Sequence, residues 1–435
     1  MNTRKIVKKL IPNEVFRKIE PYGHLTEAIL FNAVYKFPLR GLKVIGVTGT
    51  NGKTTTCYLI HRMLQDAGYT CGLMTTVAWG VGEDIKPQKH HMTTVSVPVL
   101  LKRITAMKKH KMDFLILETT SHALAQNRVW GVPYYLAVMT NLTHEHLSYH
   151  GTMERYREAK VKMFKMTSRN RYGLQTGIIN ADDPNASYFK AASKHVVTYS
   201  LTKGDIMATN INLKNDLSQF DVQTKKEHYH ITCYIPGSFN VSNSLAAIGV
   251  GEALGLTKSQ IEQGIGALKS VEGRMTKIDL GQSFDLIVDY AHSPDSFEKL
   301  FKDLKEFKYK RVIVLFGSLG GGDLAKRPLQ GELAGKYANI IVLCEEDDRL
   351  EDGQKIMDNI AEGVYRAGKH LDQDLFMVHD RSAAIRFAIS QAKKGDLVLL
   401  LGKGHEKTIE HADGEHPWNE IKEATKALKE HLSLS

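Results

Sequence analysis

The stretch KVIGVTGTNGKTTT, residues 43–56, decides the fold of this chain. It starts as an apolar, β-branched strand, passes through a glycine turn, and continues into apolar residues at helical spacing that stop at Gly68. A strand–loop–helix unit of this kind offers backbone N–H groups and a helix N-terminus to an anion. The strict pattern GxxxxGK followed by Ser or Thr is not met, because Val47 stands at its first glycine position. We still predict phosphate binding rather than a turn without ligand, since strand, helix and Gly-Lys-Thr-Thr run occur together.

Residue types within this loop predict how a nucleotide is held. Backbone N–H groups of the glycine turn surround phosphate oxygens, and Lys53 reaches the β- and γ-phosphates. The hydroxyl group of Thr54 binds Mg²⁺ in such loops. The predicted ATP-binding residues of the loop are Gly49, Thr50, Asn51, Gly52, Lys53, Thr54 and Thr55.

Further buried strands follow along the chain. DFLILE ends at Glu118, YLAVMTN ends at Asn141, and TGIIN ends at Asn180. Continuous apolar strands that alternate with helices predict a parallel sheet covered on both faces. Ligands bind at the carboxyl ends of such strands, so we expect these polar residues to lie beside the glycine loop.

The remaining segments complete an α/β fold. Residues 196–236 alternate polar and apolar residues, which predicts an antiparallel β insertion, and a helix follows over 241–254. Strands alternating with helices resume near Arg274. We therefore expect a short N-terminal segment (1–41), a central P-loop domain with a parallel sheet and the insertion (42–272), and a C-terminal Rossmann-like domain (273–435).

Length and composition exclude several classes of protein. With 435 residues, the chain is about three times the common domain length of roughly 150 residues, which predicts two or three domains. Hydrophobic residues make up 42% and charged residues 24%, so a largely disordered chain is excluded. No apolar run approaches the roughly 18 residues that a membrane span requires.

Charge and cysteine content narrow the possible partners. The net charge is +10, but no basic stripe with interleaved aromatic residues is present, so nucleic-acid binding is not expected. The four cysteines lie far apart without a CxxC pair, which excludes a disulfide framework and a cysteine-built zinc site. This usage fits a reducing compartment, and we expect a cytoplasmic protein.

Other polar clusters leave alternatives open. Glu118 can bind Mg²⁺ or be a solvated strand end, with equal weight from its own segment. The run TNLTHEHLSYHG (140–151) is consistent with a polar loop, and its histidines lack zinc spacing. Lys160 lies on the next helix, where a solvated lysine is the simpler interpretation. The runs VDYAHSPD (288–295), FGSLGGGDLAKRP (316–328) and LGKGHE (401–406) favour a second ligand site.

The order of these motifs resembles one family. VIGVTGTNGKTTT, ETTSHALAQNRVWG, TNLTHEHLSYHGTMERYREAK, IPGSFNVSNSLAAIGV, VEGRM, VDYAHSPD and LGKGHE follow the order found in Mur ligases, over about residues 42–410. The resemblance is greatest to the branch that adds the third amino acid of the peptidoglycan precursor. It implies a monomeric, ATP- and Mg²⁺-dependent amide ligase that activates a carboxylate as an acyl phosphate before an amine attacks.

The resemblance also implies roles for individual residues. Thr54 and Glu118 would bind one Mg²⁺, and His146 and a carbamylated Lys160 a second, so that the catalytic residues are Lys53, Glu118, His146 and Lys160. The implied ATP contacts outside the loop are Asn240, Asn243, Arg274, Asp289 and His292. The implied muramoyl-peptide contacts are Thr93, Thr94, Ser121, Gln126 and Arg128. The implied amino-acid contacts are Asp347, Asp348, Arg349, Gly402 and Glu406.

Two departures from the family pattern concern the substrates. Diaminopimelate-adding members carry DNPR where this chain has the run 346–349 (EDDR), and Gly322 stands where they carry an arginine. Losing that guanidinium removes one bidentate carboxylate contact, but Arg349, Gly402 and Glu406 remain, so meso-diaminopimelate is the first choice and L-lysine the second. Only 47 residues precede Thr48, whereas the family has a uridine-binding domain of roughly one hundred. We expect segment 1–41 to replace that domain, or the acceptor to carry another head group.

The sequence leaves two alternatives to this function open. A folylpolyglutamate synthase is a related ligase without a uridine-binding domain, although the ETTSHAL, YHGTMERY and GKGHE runs favour the muramoyl branch. A non-catalytic ATP-binding interaction protein is the other, and the presence of Lys53, Glu118, His146 and Lys160 argues against it.

Overall fold

A large sheet built around the predicted phosphate loop dominates the computed structural model, which describes residues 13–88 and 92–434. Its strands are β1 (Lys43–Thr48), β2 (Cys71–Met74), β3 (Ala78–Val81), β4 (Asp84–Pro87), β5 (Phe114–Glu118), β6 (Tyr134–Met139), β7 (Thr176–Asn180), β8 (His195–Ser200), β9 (Ile206–Leu213), β10 (Ser218–Thr224) and β11 (His228–Cys233). In the described part of the chain they form one eleven-stranded sheet, in the order β11-β10-β9-β8-β7-β6-β1-β5-β2-β3-β4.

Helices cover this sheet on both faces. They are α1 (Asn13–Val34), α2 (Lys53–Asp66), α3 (Val97–Lys108), α4 (Ser121–Ala125), α5 (Leu147–His150), α6 (Met153–Arg169), α7 (Ala186–Ala192), α8 (Ser238–Leu254) and α9 (Lys258–Ala267). α2 packs against α8 and α9 on one face, whereas α6 packs against β6 on the other. The central strands β1, β5, β6 and β7 are therefore buried on both sides, as their continuous apolar sequences predict.

A second sheet lies C-terminal to the first. Its strands are β12 (Thr276–Ile278), β13 (Asp285–Asp289), β14 (Val312–Phe316), β15 (Ile340–Leu343), β16 (Leu375–Met377) and β17 (Leu397–Leu401). Within the described residues they form a six-stranded sheet, in the order β12-β13-β17-β14-β15-β16, in which β12 alone is antiparallel to its neighbour. The hairpin of β18 (Thr408–His411) and β19 (Gly414–Pro417) follows.

Five helices accompany the second sheet. They are α10 (Pro294–Glu306), α11 (Lys326–Tyr337), α12 (Gly353–Arg366), α13 (Arg381–Ser390) and α14 (Glu420–Leu434). The parallel core β13-β17-β14-β15-β16 carries buried aliphatic residues throughout, which is the Rossmann-like pattern that the sequence predicts. The α/β fold class is thus confirmed for both sheets.

The β insertion differs from the sequence prediction in one respect. Within residues 196–236, only β9, β10 and β11 are antiparallel to one another, whereas β8 pairs parallel with β7. The physical reason is the connection: β8 follows the crossover helix α7, and a crossover returns the chain in the same direction. The insertion consequently extends the main sheet instead of forming a separate one.

The N-terminal segment contributes one long helix to the fold. α1 spans Asn13–Val34 and packs against α3, and the predicted segment 1–41 lies outside the described residues over its first twelve positions. Lys108 at the end of α3 donates to the carbonyl groups of Pro38 (3.1 Å) and Arg40 (2.9 Å). None of the described helices combines the length and apolar composition that crossing a bilayer requires.

Candidate active site

The residues that follow the carboxyl end of β6 hold the glycine loop in place. A Cβ atom at Gly49 would lie 1.8 Å from Thr140 Oγ1, so only glycine fits against this strand end. Thr140 Oγ1 donates to the carbonyl of Asn51 (2.6 Å), and the Asn51 backbone N–H donates to Asn141 Oδ1 (2.8 Å). The backbone N–H of Thr50 donates to the carbonyl of Asn141 (2.8 Å). The loop is therefore preorganised by protein contacts alone.

A threonine hydroxyl and a buried carboxylate face each other where the loop enters α2. Thr54 Oγ1 donates to Glu118 Oε2 (3.0 Å), and Glu118 is 1% exposed at the end of β5. Thr76 fixes the same carboxylate through its backbone N–H (3.0 Å) and its hydroxyl group (3.1 Å). Hydroxyl and carboxylate oxygens are the ligands that Mg²⁺ takes from proteins, so this donor set fits the cation.

Two lysines approach the loop from different elements. Lys53 Nζ donates to the carbonyl of Thr50 (2.7 Å), and Lys160 Nζ, from α6, donates to the carbonyl of Gly49 (2.6 Å). Lys160 is 2% exposed. Burial, reinforced by the charge of Lys53, holds the pKa of Lys160 well below its ordinary value. Its burial distinguishes Lys160 from a solvated lysine on a helix surface.

A carboxylate between two histidines joins the first sheet to the second. Glu145 Oε1 accepts from His292 Nε2 (3.2 Å), and Glu145 Oε2 lies 3.7 Å from His146 Nε2. Burial works to raise the pKa of Glu145, but the hydrogen bond from His292 and the neighbouring positive charges outweigh it, so the pKa lies below its ordinary value. His146 has a positive φ of 57°, a backbone conformation that residues other than glycine rarely adopt. Surrounding protein lowers the pKa of His146 to about 4, although close to half of its side chain is exposed.

Residues of the second sheet reach the phosphate loop. Arg274 Nη2 donates to Thr54 Oγ1 (3.4 Å), and its guanidinium carbon lies 4.6 Å from the centre of the Tyr290 ring. Asn51 Nδ2 donates to Asp295 Oδ2 (2.8 Å). Asp289 accepts from the backbone N–H groups of Met275 and Ala291 (both 2.8 Å), and burial raises its pKa against the opposing charge of Arg274.

A cavity of about 450 Å³ lies between the two sheets. Its lining includes the predicted ATP-binding residues Asn51, Gly52, Thr54, Thr55, Asn243, Arg274, Asp289 and His292. A Cβ atom at Gly52 (φ +80°) would lie 2.2 Å from Asn243 Oδ1, so the loop and α8 touch at this point. Asn240 is buried beneath the cavity wall, where its Oδ1 accepts from Asn243 Nδ2 (2.9 Å). Asn240 therefore orients Asn243, and the cavity has the volume typical of a small-molecule site.

The predicted muramoyl-peptide residues lie beside Glu118. Thr93 Oγ1 accepts from Thr76 Oγ1 (2.9 Å), Thr94 Oγ1 donates to the carbonyl of Glu118 (3.0 Å), and Arg128 Nη1 donates to the carbonyl of Thr94 (2.5 Å). Ser121 Oγ lies 3.0 Å from His150 Nε2. Gln126 Nε2 donates to Glu20 Oε1 of α1 (3.3 Å). Thr93, Thr94 and Arg128 are thus linked to the surroundings of Glu118, whereas Ser121 contacts the histidine segment and Gln126 contacts α1.

The predicted amino-acid residues meet at the carboxyl end of the second sheet. Lys403 is fully buried and forms ion pairs with Asp347 (2.8 Å) and Glu406 (2.6 Å). Arg349 Nε donates to Glu410 Oε2 (2.9 Å), so its guanidinium group already has a carboxylate partner. Asp348 Oδ2 lies 2.7 Å from His379 Nε2. Burial raises the pKa of Glu406, which the charge of Lys403 opposes.

Sequence reasoning missed three residues of this site. Glu346 is 4% exposed, forms no hydrogen bond or ion pair within the described residues, and lies 2.5 Å from where a Gly402 Cβ would stand. Thr76 follows β2, a strand of four residues that the sequence pattern did not predict. Asp295 belongs to the VDYAHSPD run, but nothing in the sequence indicates that it faces Asn51.

Two family profiles match the chain. The Mur ligase middle domain matches residues 47–251, and the Mur ligase glutamate ligase domain matches residues 273–404. The chain belongs to the Mur ligase family, and the resemblance read from the sequence is confirmed. It is an ATP-dependent ligase of peptidoglycan synthesis.

Individual relatives agree with this assignment. A UDP-N-acetylmuramyl-tripeptide synthetase of Borrelia garinii subsp. bavariensis is 41% identical over 430 residues, which cover 96% of this chain and 84% of the relative. A UDP-N-acetylmuramoyl-L-alanyl-D-glutamate--2,6-diaminopimelate ligase of Geobacillus thermodenitrificans is 39% identical over 393 residues, which cover 89% and 79%.

Solved structures show the same architecture. A UDP-N-acetylmuramoyl-L-alanyl-D-glutamate--2,6-diaminopimelate ligase superimposes with a TM-score of 0.63 at 29% identity, covering 95% of this chain and 83% of that chain. A folylpolyglutamate synthase of Mycobacterium tuberculosis complexed with ADP has a TM-score of 0.72 at 16% identity, covering 89% and 94%. The latter likeness concerns the fold alone.

Proposed function

We propose that this enzyme joins the amine of a diamino acid to the γ-carboxylate of D-glutamate in a muramoyl-L-alanyl-D-glutamate acceptor, with conversion of ATP to ADP and phosphate. The names of the similar ligases support this substrate class. The observation that carries the proposal is the convergence on one loop of Lys53, the Thr54–Glu118 pair and the buried amine of Lys160.

The proposed chemistry requires positive charge at the transferred phosphoryl group. A carboxylate is a poor electrophile, and phosphorylation by ATP gives it a leaving group that the incoming amine expels through a tetrahedral intermediate. Lys53 and Arg274 lie at the loop where that charge develops. Thr54 and Glu118 are the residues that would hold Mg²⁺, which supplies Lewis-acid stabilisation of the phosphates when bound.

Lys160 is suited to carbamylation. A neutral amine nitrogen can attack CO₂, so that a C–N bond forms and a proton is released. Burial lowers the pKa of Lys160, which favours the neutral amine. Its carbamate would be an anion beside Lys53 and His146, and with His146 it would hold a second Mg²⁺ near the acceptor carboxylate.

The nucleotide and acceptor are assigned to opposite sides of this centre. Asn243 would contact the adenine base from α8, whereas Arg274, Asp289 and His292 would contact phosphate and ribose from the second sheet. The acceptor would lie along Thr93, Thr94, Ser121, Gln126 and Arg128. Since the ATP contacts come from both sheets, the two domains must come together to complete the ATP site.

Two observations bear on the added amino acid. Glu346 is a buried carboxylate that forms no ion pair among the described residues, and it fits a distal ammonium group, which meso-diaminopimelate and L-lysine both carry. Arg349 is the candidate for the distal carboxylate of meso-diaminopimelate, but it is paired with Glu410. We therefore propose a diamino acid, with meso-diaminopimelate as first choice and L-lysine as the alternative that the Arg349–Glu410 pair favours.

ADP release is the assay that tests the proposal. The enzyme is offered ATP, Mg²⁺, muramoyl-L-alanyl-D-glutamate with and without UDP, and either diamino acid. Acceptor-dependent ADP release with a new amide product is expected. Turnover with a folate and glutamate, and none with any muramoyl acceptor, would assign the enzyme to folylpolyglutamate synthesis instead. ATP hydrolysis without an amide product would refute both assignments.

A further inference from the structure

Three potential metal ligands lie together at the far end of the second sheet. Glu345 follows β15, Asp348 lies three residues later, and His379 follows β16. One ligating atom from each side chain lies within 4.8 Å of the other two. The closest pair is His379 Nε2 and Asp348 Oδ2, at 2.7 Å. Parallel strands that end side by side have brought the three residues together.

The charges of this cluster are balanced differently from those around it. Asp347 pairs with Lys403, Glu410 with Arg349, and Glu420 with Arg381. In contrast, Glu345 (8% exposed) and Asp348 (7% exposed) have histidines as their only ion-pair partners within the described chain. Two buried carboxylates this close repel each other unless a cation lies between them.

The carboxylate of Asp348 also has an unused oxygen. Its Oδ1 atom is buried and lacks a hydrogen-bond partner among the residues that the structure describes. Buried polar atoms normally have such a partner, so an unpaired carboxylate oxygen indicates a missing ligand. The backbone of Gly353 packs closely against the His379–Asp348 pair, since a Cβ atom there would lie 2.0 Å from His379 Nε2 and 2.2 Å from Asp348 Oδ2.

We propose that Glu345, Asp348 and His379 bind a divalent transition-metal cation such as Zn²⁺. One imidazole nitrogen and two carboxylates form a donor set that Zn²⁺ and Co²⁺ accept, whereas Mg²⁺ prefers oxygen ligands. His411 Nε2 lies 3.0 Å from Glu345 Oε2, and the other oxygen of that carboxylate, Oε1, accepts from the Arg381 backbone N–H (3.1 Å). The site is separate from the phosphate loop and would fasten the 345–349 loop to the end of β16.

Titration of the metal-free, full-length enzyme with Co²⁺ tests the site. The protein is treated with a chelator and kept in saturating Mg²⁺ to occupy the phosphate-loop site, and the visible absorbance of Co²⁺ is recorded. One equivalent is expected to bind, to be displaced by Zn²⁺, and to raise the melting temperature. His379→Ala should weaken binding by at least about tenfold. Its side chain is 52% exposed, so the variant should fold; His379→Asn and Glu345→Gln serve as second variants.

The neighbouring hairpin supplies the control. His411, Asp413 and His416 form another group of potential ligands, and His416 is exposed. His416→Ala should bind Co²⁺ as the wild type does. Loss of binding in His416→Ala with retention in His379→Ala would place the cation on the hairpin and overturn the proposal. Equal binding by all variants, or no binding at micromolar Co²⁺, would overturn it as well.

Discussion

The Nζ atom of Lys160 lies 2.6 Å from the carbonyl oxygen of Gly49, so a buried amine on α6 ends at the first glycine of the phosphate loop. We expect Lys160→Ala to abolish turnover, because the variant removes the group that would become a carbamate. Acetate or propionate should restore part of the rate by supplying a carboxylate in the vacated space. ADP release measured with increasing carboxylate concentration checks this.

Lys165→Ala is the matched control for that variant. Lys165 lies on the same helix but is exposed, so its removal should leave the rate unchanged. A fully active Lys160→Ala enzyme would contradict the assigned role. Mass spectrometry of intact protein kept in bicarbonate provides a readout that does not depend on turnover.

Lys53→Ala should lower kcat by at least about 100-fold, the cost of removing one charge-stabilising donor from a transition state. Its Nζ atom contacts only the Thr50 carbonyl within the described structure, so the melting temperature should change little. Rates of ADP release and thermal unfolding measure the two effects separately. Lys102→Ala, at an exposed position of α3, should match the wild type in both, and a similar loss there would point to a nonspecific charge effect.

Arg349→Ala separates the two candidate amino acids. If Arg349 contacts a distal carboxylate, the variant should raise KM for meso-diaminopimelate about tenfold or more and leave KM for L-lysine unchanged. Glu346→Gln should raise KM for both, because both carry the distal ammonium group. An Arg349→Ala enzyme with unchanged KM for meso-diaminopimelate would indicate that the Glu410 pair is the sole role of this arginine.

The burial of His61 should make the folded protein less stable in acid. It is 4% exposed on α2, and burial lowers its pKa from 6.5 to about 4, although Glu83 and a hydrogen bond to the Cys71 carbonyl oppose this and Arg62 reinforces it. Below pH 6.5 the unfolded chain therefore binds a proton that the folded chain does not. The free energy of unfolding should fall as the pH drops towards 4, by on the order of 3 kcal/mol from this group.

His61→Leu provides the comparison. The Cys71 carbonyl keeps its hydrogen bond from the Gly82 backbone N–H, so the variant leaves no unpaired acceptor there. Urea unfolding at pH 7 and pH 4.5 should show a smaller difference for His61→Leu than for the wild type. Identical pH dependence in the two proteins would mean that His61 is protonated in the folded state.

Much of the fold follows from local sequence. The strands ending at Glu118 and Asn180 were predicted because fully buried parallel strands are continuously apolar. The hairpin β3–β4 was missed because its strands have four residues each, too few for a period to show. The direction of β8 was misassigned because strand direction depends on the crossover before it and not on its own residues.

The site was less predictable than the fold. Loop residues such as Lys53 carry a local pattern, whereas Lys160 looks like a solvated helical lysine until the structure shows its burial against Gly49. Resemblance to a family supplied its proposed role. Glu346 and Thr76 matter through contacts with residues that are distant along the chain, and single-sequence reasoning has no access to such contacts.

The contact of Gly52 with Asn243 has a consequence for engineering the nucleotide preference. The helix α8, which would contact the base, packs directly against the glycine turn, which would contact the phosphates. There is no room for even a methyl group between them. A substitution that repositions one half of the nucleotide pocket therefore displaces the other. Redesign for a different triphosphate would have to change both segments together.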